Sequence, residues 1–338
     1  MPHQSQHTML CSIIVAAVAI PISSTALACA SCGCTLSSDW ESQGFNAEPG
    51  LRLDIRYDYL NQNQLRRGTR TISSADAARV VTSSGDPQEV ERYTRNRYLT
   101  LGLDYTISQD WGINVQLPYV DRKHGTLGIN SDGSSPADGA YDSKTSSIGD
   151  IKLMGRFQGF THQRNFGVTF GLKLATGSHN KTGTSTDPAS PGDVAAIDRG
   201  LQPGTGTTDA IFGVYHFDSL SRNWDYFAQA TVQAALDSSD QYKPGTGYNL
   251  NLGLRYVGIE GAIPQLQINT RYVNHDTGAN ADQTSTGGTL VYLSPGVVVP
   301  AGKQVSIYGF VQLPLYQNVR GVQLTPHYTA SVGARFAF

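Results

Sequence analysis

The feature that most constrains the fold of this sequence is a strict alternation of apolar and polar residues. A β-strand points successive side chains to opposite faces, so a period of two predicts a strand with one apolar and one polar face. The alternation is clearest at residues 51–59, where every odd position is apolar and every even one is charged. The apolar set is Leu51, Leu53, Ile55, Tyr57 and Tyr59, and the charged set is Arg52, Asp54, Arg56 and Asp58.

About twelve segments show this pattern or a close variant of it. They are predicted at 51–60, 94–107, 111–121, 148–158, 166–176, 208–217, 224–236, 247–257, 265–275, 288–299, 304–315 and 326–338.

The connections between these segments alternate between short and long. Long polar stretches rich in Gly, Ser and Asp follow the first, third and fifth segments, and very short ones follow the second, fourth and sixth. An even number of strands of roughly ten residues with alternating connections is typical of outer-membrane barrels. We therefore predict an all-β protein, a transmembrane antiparallel up-and-down β-barrel of about 12 strands with long extracellular loops and short periplasmic turns, in the bacterial outer membrane.

The composition agrees with a barrel and excludes other classes. The 36 Gly, the 17 Tyr and the low charged fraction of 15% suit many strands joined by turns. A formal net charge of -2 means that the chain has no excess of basic residues for binding nucleic acid. No long apolar run follows the first thirty residues, which excludes a helical membrane protein and leaves a barrel open.

Aromatic residues recur where strands would meet the two membrane interfaces, which predicts two aromatic girdles and contact with lipid. The periplasmic set is Tyr105, Trp111, Phe157, Phe166, Trp224, Tyr256 and Phe336, and the opposite set is Tyr57, Tyr59, Tyr119, Tyr272 and Tyr328.

The final stretch, HYTASVGARFAF, places alternate apolar residues on one face and finishes on Phe. It resembles the C-terminal signal that the outer-membrane assembly machinery recognises. Phe336 and Phe338 are therefore predicted to carry that signal.

The first 28 residues have the pattern of a secretory signal peptide. An apolar run at Leu10–Ile20 is too short to span a bilayer, and Ala26, Leu27 and Ala28 form an A-x-A cleavage pattern. The predicted domains are a signal peptide at 1–28, a cysteine-containing periplasmic segment at 29–50 and the barrel at 51–338.

Three cysteines follow the predicted cleavage point as CxxCxC, at Cys29, Cys32 and Cys34. Haem attachment is excluded, because Gly33 stands where C-x-x-C-H requires His. Lipidation of Cys29, a disulfide between two of the three, and a thiolate site for copper or another soft metal remain alternatives. A periplasmic partner could also bind through these thiols. The sequence implies no other cofactor.

The polar face of the predicted strands would line the lumen. In a barrel of about twelve strands, long side chains fill much of the bore. They could form a paired electrostatic core, or they could also select a solute, with a slight preference for anions because basic residues predominate. The candidates are Arg52, Asp54, Arg56, Asp58, Asp104, Asp150, Lys152, Arg156, Lys173, Arg255, Arg271 and Arg335.

Catalysis finds little support in the sequence. His179 and His275 have Ser and Asp neighbours, but no spacing selects a nucleophile, a base and an orienting group. We predict that the protein is not an enzyme.

Four motifs in order resemble the outer-membrane transporter family named for the meta-pathway of phenol degradation, over most of the chain from about residue 50. They are GDIKLMGRF (149–157), GLKLATG (171–177), GTGTTDAIFGV (204–214) and QLPLYQNVRGVQLTP (312–326). Ala175 departs from the family pattern, where Pro is expected. The resemblance implies a β-barrel that helps small, often aromatic or apolar, compounds to cross the outer membrane, and it implies no catalytic residues.

Two functions follow as hypotheses. The first is an outer-membrane channel or transporter for small molecules, with aromatic or apolar compounds as the implied solutes. The second is a membrane-anchored metal-binding or redox-partner scaffold that uses the CxxCxC segment. The identity of the solute, the openness of the lumen and the oligomeric state lie beyond the sequence.

Overall fold

A computed structural model describes residues 49–81, 85 and 87–338. The predicted signal peptide and the three cysteines Cys29, Cys32 and Cys34 lie outside the described residues. Within the described part, no helix is long and apolar enough to cross a membrane.

The described residues form a single antiparallel sheet of fifteen strands with very little helix. The helical elements are α1 (Ser74–Ala77) and a 3-10 turn at Arg199–Leu201. The strands are β1 (Gly50–Gly68), β2 (Arg70–Thr71), β3 (Glu89–Thr106), β4 (Trp111–Ile129), β5 (Tyr141–Ile148), β6 (Lys152–Phe157), β7 (Phe166–Lys173), β8 (Thr182–Ser185), β9 (Val194–Ala196), β10 (Asp209–Ser221), β11 (Trp224–Ala235), β12 (Gly247–Tyr256), β13 (Ile263–Val273), β14 (Gly288–Pro300) and β15 (Val305–Ala337).

The sheet closes on itself. β1 pairs with β3 on one side and with β15 on the other, and the remaining neighbours follow the order of the chain. Eleven of the described strands form this closed wall, whereas β2, β5, β8 and β9 extend it at one end. The prediction of an all-β, up-and-down barrel is therefore confirmed.

The eleven strands of the wall cross it twelve times, because β15 contains two crossing segments. β15 pairs with β14 through residues 306–319 and with β1 through residues 319–337, so the chain turns back within this element. The turn lies at Arg320–Gly321, and Gly321 has φ +62°, a left-handed conformation that favours glycine. β6 pairs with the turn-end part of β4, and β5 continues the same line along the loop-end part of β4, above the closed wall.

The two ends of the barrel differ in their connections. Short connections at 107–110, 158–165, 222–223, 257–262 and 301–304 share one end with Gly50 and Phe338, and we call this the turn end. The longer connections lie at the opposite end, which we call the loop end. In outer-membrane barrels the short turns face the periplasm and the long loops face outward.

The outer face of the wall is an apolar belt. On β3, the residues Leu99, Leu101 and Leu103 are 44%, 40% and 45% exposed, while the residues between them point inward. Aromatic rings border this belt at the turn end, where the centroids of the tilted rings of Trp111 and Phe157 are 4.7 Å apart and those of Trp224 and Tyr256 are 5.0 Å apart. These exposed apolar surfaces require lipid as their solvent.

The strands differ from the predicted ones in length. Toward the loop end, β1 ends at Gly68 where residue 60 was expected, and β3 begins at Glu89 where residue 94 was expected, so residues predicted as loop are paired strand. The predicted strand at 148–158 is broken between β5 and β6. There Gly149 donates its backbone N–H to the Pro118 carbonyl at 2.8 Å, and the Asp150 side chain lies buried. Local alternation could not predict this break, because polar contacts inside the barrel cause it.

Replacement of Leu101 by Arg tests the lipid-facing belt. Leu101 lies on the outward apolar face between Leu99 and Leu103 and in register with Ile55 of β1, so an outward guanidinium there would enter hydrocarbon. We expect Leu101→Arg to lower the free energy of unfolding in lipid vesicles by about 2–4 kcal/mol. Urea titration followed by tryptophan fluorescence and heat-modified gel mobility would measure it.

The matched control is Lys303→Glu in the turn between β14 and β15, where a charge stays in water. An equal loss of stability in both variants would contradict a lipid-facing belt at Leu101.

Candidate functional site

The predicted lumen residues fall into two groups, according to whether they line a cavity in the part of the barrel nearer the loop end. Six of them contact a cavity in the upper part: Asp54, Arg56, Asp150, Lys152, Lys173 and Arg271. The other six lie outside this cavity lining: Arg52, Asp58, Asp104, Arg156, Arg255 and Arg335.

Near the turn end, a cluster of charged side chains fills the bore, and we call it the floor. Arg156 donates from Nη1 to Asp104 Oδ2 at 3.0 Å and from Nη2 to Thr106 Oγ1 at 2.7 Å. Arg52 Nη1 lies 3.7 Å from Asp104 Oδ1 and donates to Thr106 Oγ1 at 3.1 Å. All four side chains are buried, so one carboxylate between two guanidiniums binds three strands together.

Above and beside the floor, further charged residues are paired within the wall. Arg56 Nε donates to Asp58 Oδ2 at 2.9 Å, and Ser331 Oγ donates to Asp58 Oδ1 at 2.6 Å. The Tyr308 hydroxyl lies 2.9 and 3.0 Å from the two carboxylate oxygens of Asp54. At the turn end, Arg255 pairs with Asp225 at 2.9 Å, and Arg335 is buried in register with Asp54.

Amide side chains on β11, β12 and β13 bond one another in a row, which we call the amide ladder. The sequence analysis did not select them, because it considered charged residues. Asn269 Nδ2 donates to Asn251 Oδ1 at 3.0 Å, and Asn251 Nδ2 donates to Gln229 Oε1 at 3.1 Å. Ser294 Oγ continues the ladder to Asn269 Oδ1 at 2.5 Å. The signal was present in the sequence, because Asn251 and Asn269 alternate with Leu and Ile, and Gln229 alternates with Ala, in their strands.

A cavity of about 390 Å³ lies above the floor. Its described lining includes apolar groups from Tyr98, Pro118, Val120, Met154 and Ile211 together with the amides of the ladder. Six basic and four acidic residues also line it, an excess of two positive charges. The basic residues are Arg56, Arg122, Lys152, Lys173, Arg199 and Arg271, and the acidic ones are Asp54, Asp150, Asp209 and Asp276.

Residues 194–207, part of the long connection between β7 and β10, cover the cavity at the loop end, and we call them the mouth segment. From the wall, Arg122 donates to the carbonyls of Gly200 at 3.4 Å and Gln202 at 3.2 Å. The Gln202 amide bonds the backbone of Lys181 in both directions, each at 2.9 Å. Arg122 belongs to β4 of the wall, and Lys181 belongs to the same connection as the mouth segment. Arg122 therefore holds the mouth segment against the wall, and Gln202 holds it to the preceding part of the connection.

A second anchor of the mouth segment is a buried ionic cluster. Lys173 Nζ lies 3.1 Å from Asp150 Oδ2 and 3.1 Å from Asp209 Oδ1. The Thr205 backbone N–H donates to Asp150 Oδ2 at 2.9 Å, and the Gly177 N–H donates to Asp150 Oδ1 at 3.0 Å. The break between β5 and β6 thus places Asp150 where it captures the mouth segment.

The two histidines considered for catalysis lie at the loop end with ionic partners. His179 Nε2 is 3.7 Å from Asp240 Oδ2, and His275 Nδ1 is 2.8 Å from Arg320 Nη1. Among the described residues, no group of three His, Cys, Asp or Glu side chains is arranged to hold a metal ion.

The comparisons with known proteins identify the fold. No family model matches this sequence, and no curated protein matches it. The COG4313 outer membrane channel from Pseudomonas putida F1 is 12% identical over 86% of this chain and 96% of that chain, with a TM-score of 0.60.

Two further solved structures align over a similar length. The beta domain of the Bordetella autotransporter BrkA is 14% identical over 86% of this chain and 100% of that chain, with a TM-score of 0.48. The translocator domain of the autotransporter NalP from Neisseria meningitidis is 11% identical over 88% and 92%, with a TM-score of 0.46. With its lipid-facing belt and a barrel fold shared with an outer-membrane channel, the protein is an outer-membrane β-barrel.

Replacement of Asp104 by Ala tests the floor. The change would leave two buried guanidiniums, Arg52 and Arg156, without their shared carboxylate. Removal of one partner from a buried pair typically costs about 3–5 kcal/mol. We expect Asp104→Ala to lower the free energy of unfolding by about that amount in the same vesicle assay.

The control is Asp110→Ala, because Asp110 pairs with Arg164 at 2.7 Å in an exposed turn. Exposed pairs contribute about 0–1 kcal/mol. If both variants lost the same small amount, the floor would not be the stabilising cluster that its burial indicates.

Proposed function

We propose that this protein is an outer-membrane channel for small organic solutes and that the mouth segment controls entry. The observation that carries this proposal is the cavity of about 390 Å³ that wall residues and the mouth segment line. Small-molecule sites have volumes of about 300–1,000 Å³, so the cavity suits a single small solute. A barrel that only anchored another domain would need no such space.

The chemistry of the lining supports an aromatic solute with a polar group. Tyr98, Pro118 and Met154 offer flat or flexible apolar surfaces, while the amide ladder and hydroxyls offer hydrogen bonds. We further propose that the chain is a member of the transporter family named for the meta-pathway of phenol degradation, on the strength of the four ordered motifs. The shared fold with an outer-membrane channel is consistent with that assignment.

The charge of the lining favours anions. An excess of two basic residues in a confined space raises the local concentration of negatively charged solutes. Aromatic carboxylates and phenolates would therefore enter more readily than aromatic amines of the same size.

Passage requires movement of the mouth segment, because it covers the cavity. Arg122 holds this segment through the carbonyls of Gly200 and Gln202 and is itself positioned by the Tyr98 hydroxyl at 3.0 Å. These hydrogen bonds join the wall to the mouth segment in addition to the anchor at Asp150. Loss of Arg122 would therefore weaken the docking of the mouth segment without removing a strand.

Replacement of Arg122 by Ala tests the channel. We expect Arg122→Ala to raise the open fraction of single channels in planar bilayers by about tenfold, since the loss of one charged hydrogen-bonding group costs about 1.5–3 kcal/mol. The reversal potential in a KCl gradient should show that chloride is preferred. Liposome swelling with benzoate and with benzylamine would compare two solutes of similar size.

Arg79→Ala is the matched control, because Arg79 pairs only with the exposed Asp76 in the described contacts and lies away from the cavity. A folded wild-type barrel and a folded Arg122→Ala variant that both pass neither ions nor small organic solutes would exclude the channel.

The second proposal is the metal-binding or redox-partner scaffold. The first described residues lie at the turn end, where the Phe338 N–H donates to the Leu51 carbonyl at 2.9 Å. The described chain therefore begins at the end that faces the periplasm, which suits a role for Cys29, Cys32 and Cys34 there.

Metal analysis would separate the two proposals. For the scaffold we expect about one equivalent of a soft metal in protein purified without oxygen, and its loss in a triple Cys→Ser variant. Intact mass of the mature N-terminal peptide would reveal a lipid or a disulfide instead. A metal content near zero in the wild type would remove the scaffold and leave the channel unaffected.

A further inference from the structure

Acidic side chains from three different segments meet under the mouth segment. Glu89 and Glu91 extend from the upper part of β3, Asp198 belongs to the mouth segment, and Asp282 lies in the connection between β13 and β14. They are 7%, 4%, 5% and 5% exposed, so all four carboxyl groups are shielded from water. Buried carboxylates normally require a nearby cation or several hydrogen-bond donors.

The hydrogen bonds of these groups are unequal. Asp282 Oδ1 accepts from the N–H groups of Thr284 at 2.7 Å and Ser285 at 2.9 Å, and from the Thr284 hydroxyl at 2.8 Å. Glu91 Oε2 accepts the Leu324 N–H at 3.3 Å. One oxygen in each of Glu91, Asp198 and Asp282 is buried without a hydrogen-bond donor among the described residues: Oε1, Oδ1 and Oδ2, respectively. Glu91 and Asp282 accept hydrogen bonds at their other oxygen, and Asp198 has no such compensating contact among those described.

The electrostatic surroundings of Asp198 favour its neutral form. Burial is the largest cause that raises the pKa of Asp198 well above its usual value, and Glu89 and Asp282 raise it further. The phenol of Tyr141 from β5 also faces this group, and burial followed by Asp198, Glu89 and Glu91 raises the pKa of that phenol. None of these neighbours supplies a positive charge.

The basic residues near the cluster are directed to other partners. Arg199, next in the chain, donates to the carbonyls of His179 and Thr205, each at 3.0 Å, and to Asp240 Oδ2 at 3.0 Å. Arg122 bonds carbonyls of the mouth segment.

Arg320 acts on the far side of the cluster, where it lowers the pKa of Asp282 against the larger effect of burial and contacts His275. Asp276, the remaining buried acid in this loop, bonds the Gly245 N–H and the Tyr242 hydroxyl.

We propose that Asp198 is a proton-controlled latch: when it is protonated the mouth segment stays docked over the cavity, and when it is ionised repulsion from Glu89 and Asp282 releases the segment. The proposal rests on the proposed function, because the segment regulates entry only if the barrel conducts. The apolar contacts of Ile197 and Leu201 with Tyr141 favour the docked position of the mouth segment. A negative charge on Asp198 opposes this docking.

The sign of the pH dependence follows from the raised pKa. The pKa of Asp198 is raised when the mouth segment is docked, so below the ordinary pKa of a carboxyl the bound proton stabilises docking fully. This stabilisation is lost as pH rises toward the pKa that Asp198 has in the docked state. For one titrating group, the docking equilibrium changes by up to about tenfold per pH unit within that window. The channel should therefore close in acid and open as the pH rises.

Asp198→Asn is the test variant, because it keeps the shape of the protonated side chain and cannot ionise. Single-channel recordings from pH 4 to pH 8 in buffers with EDTA would compare it with the wild type. We expect the wild-type open fraction to rise by at least tenfold across this range and that of Asp198→Asn to stay low. Asp193→Asn, an exposed acid on the same connection, is the matched control and should behave as the wild type.

Hydrogen exchange of residues 194–207, read by mass spectrometry, gives a result that does not depend on conduction. At pH 8 this segment should exchange faster in the wild type than in Asp198→Asn, and at pH 5 the two should be equal. Comparison at the same pH cancels the intrinsic pH dependence of exchange.

The two measurements distinguish the proposals. A difference in exchange without any conductance would support the latch and overturn the channel. Conductance with the same pH dependence in the wild type and in Asp198→Asn would overturn the latch and leave the channel in place. Equal exchange of the two proteins at both pH values would also overturn the latch.

Discussion

The need to satisfy every backbone hydrogen bond within the sheet governs this structure. Lipid offers no partner for a free N–H or carbonyl, so a sheet that crosses it must have no edge. Here β1 provides the closure, since it pairs with β3 from Gly50 to Gln62 and with β15 from Arg52 to Gly68. Once the sheet is closed, each strand has one face in lipid and one face in the bore.

The closed wall then imposes a demand on its interior. Side chains that face the bore are shielded from bulk water, so their polar atoms need partners inside the barrel. The floor meets this demand with Asp104 between two guanidiniums, and the opposite wall meets it with amides that bond one another. The floor lies near the turn end, and the amides Gln229 and Asn251 contribute to the lining of the cavity.

The mouth segment follows from the same demand at the other end. Asp150 lies in the break between β5 and β6, outside the paired strands. It binds Lys173 and Thr205, and these contacts hold the connection after β7 inside the barrel. Arg122 completes the attachment through backbone carbonyls. Asp198 alone among these groups lacks a compensating donor in the described chain, and this makes it the point at which a proton can shift the balance.

The sequence by itself determined the order of the strands and the two faces of the wall, because alternation of apolar and polar residues is a local property of the chain. It also predicted twelve charged residues for the inward face, but it could not say which of them pair and which border a cavity. Only the tertiary structure decided that Asp104 joins Arg52 and Arg156, that β5 and β6 break at Asp150, and that residues 194–207 fold over the bore. The physical reason is that these contacts join positions up to 80 residues apart, and the closed barrel, rather than any local pattern, brings them within hydrogen-bond distance.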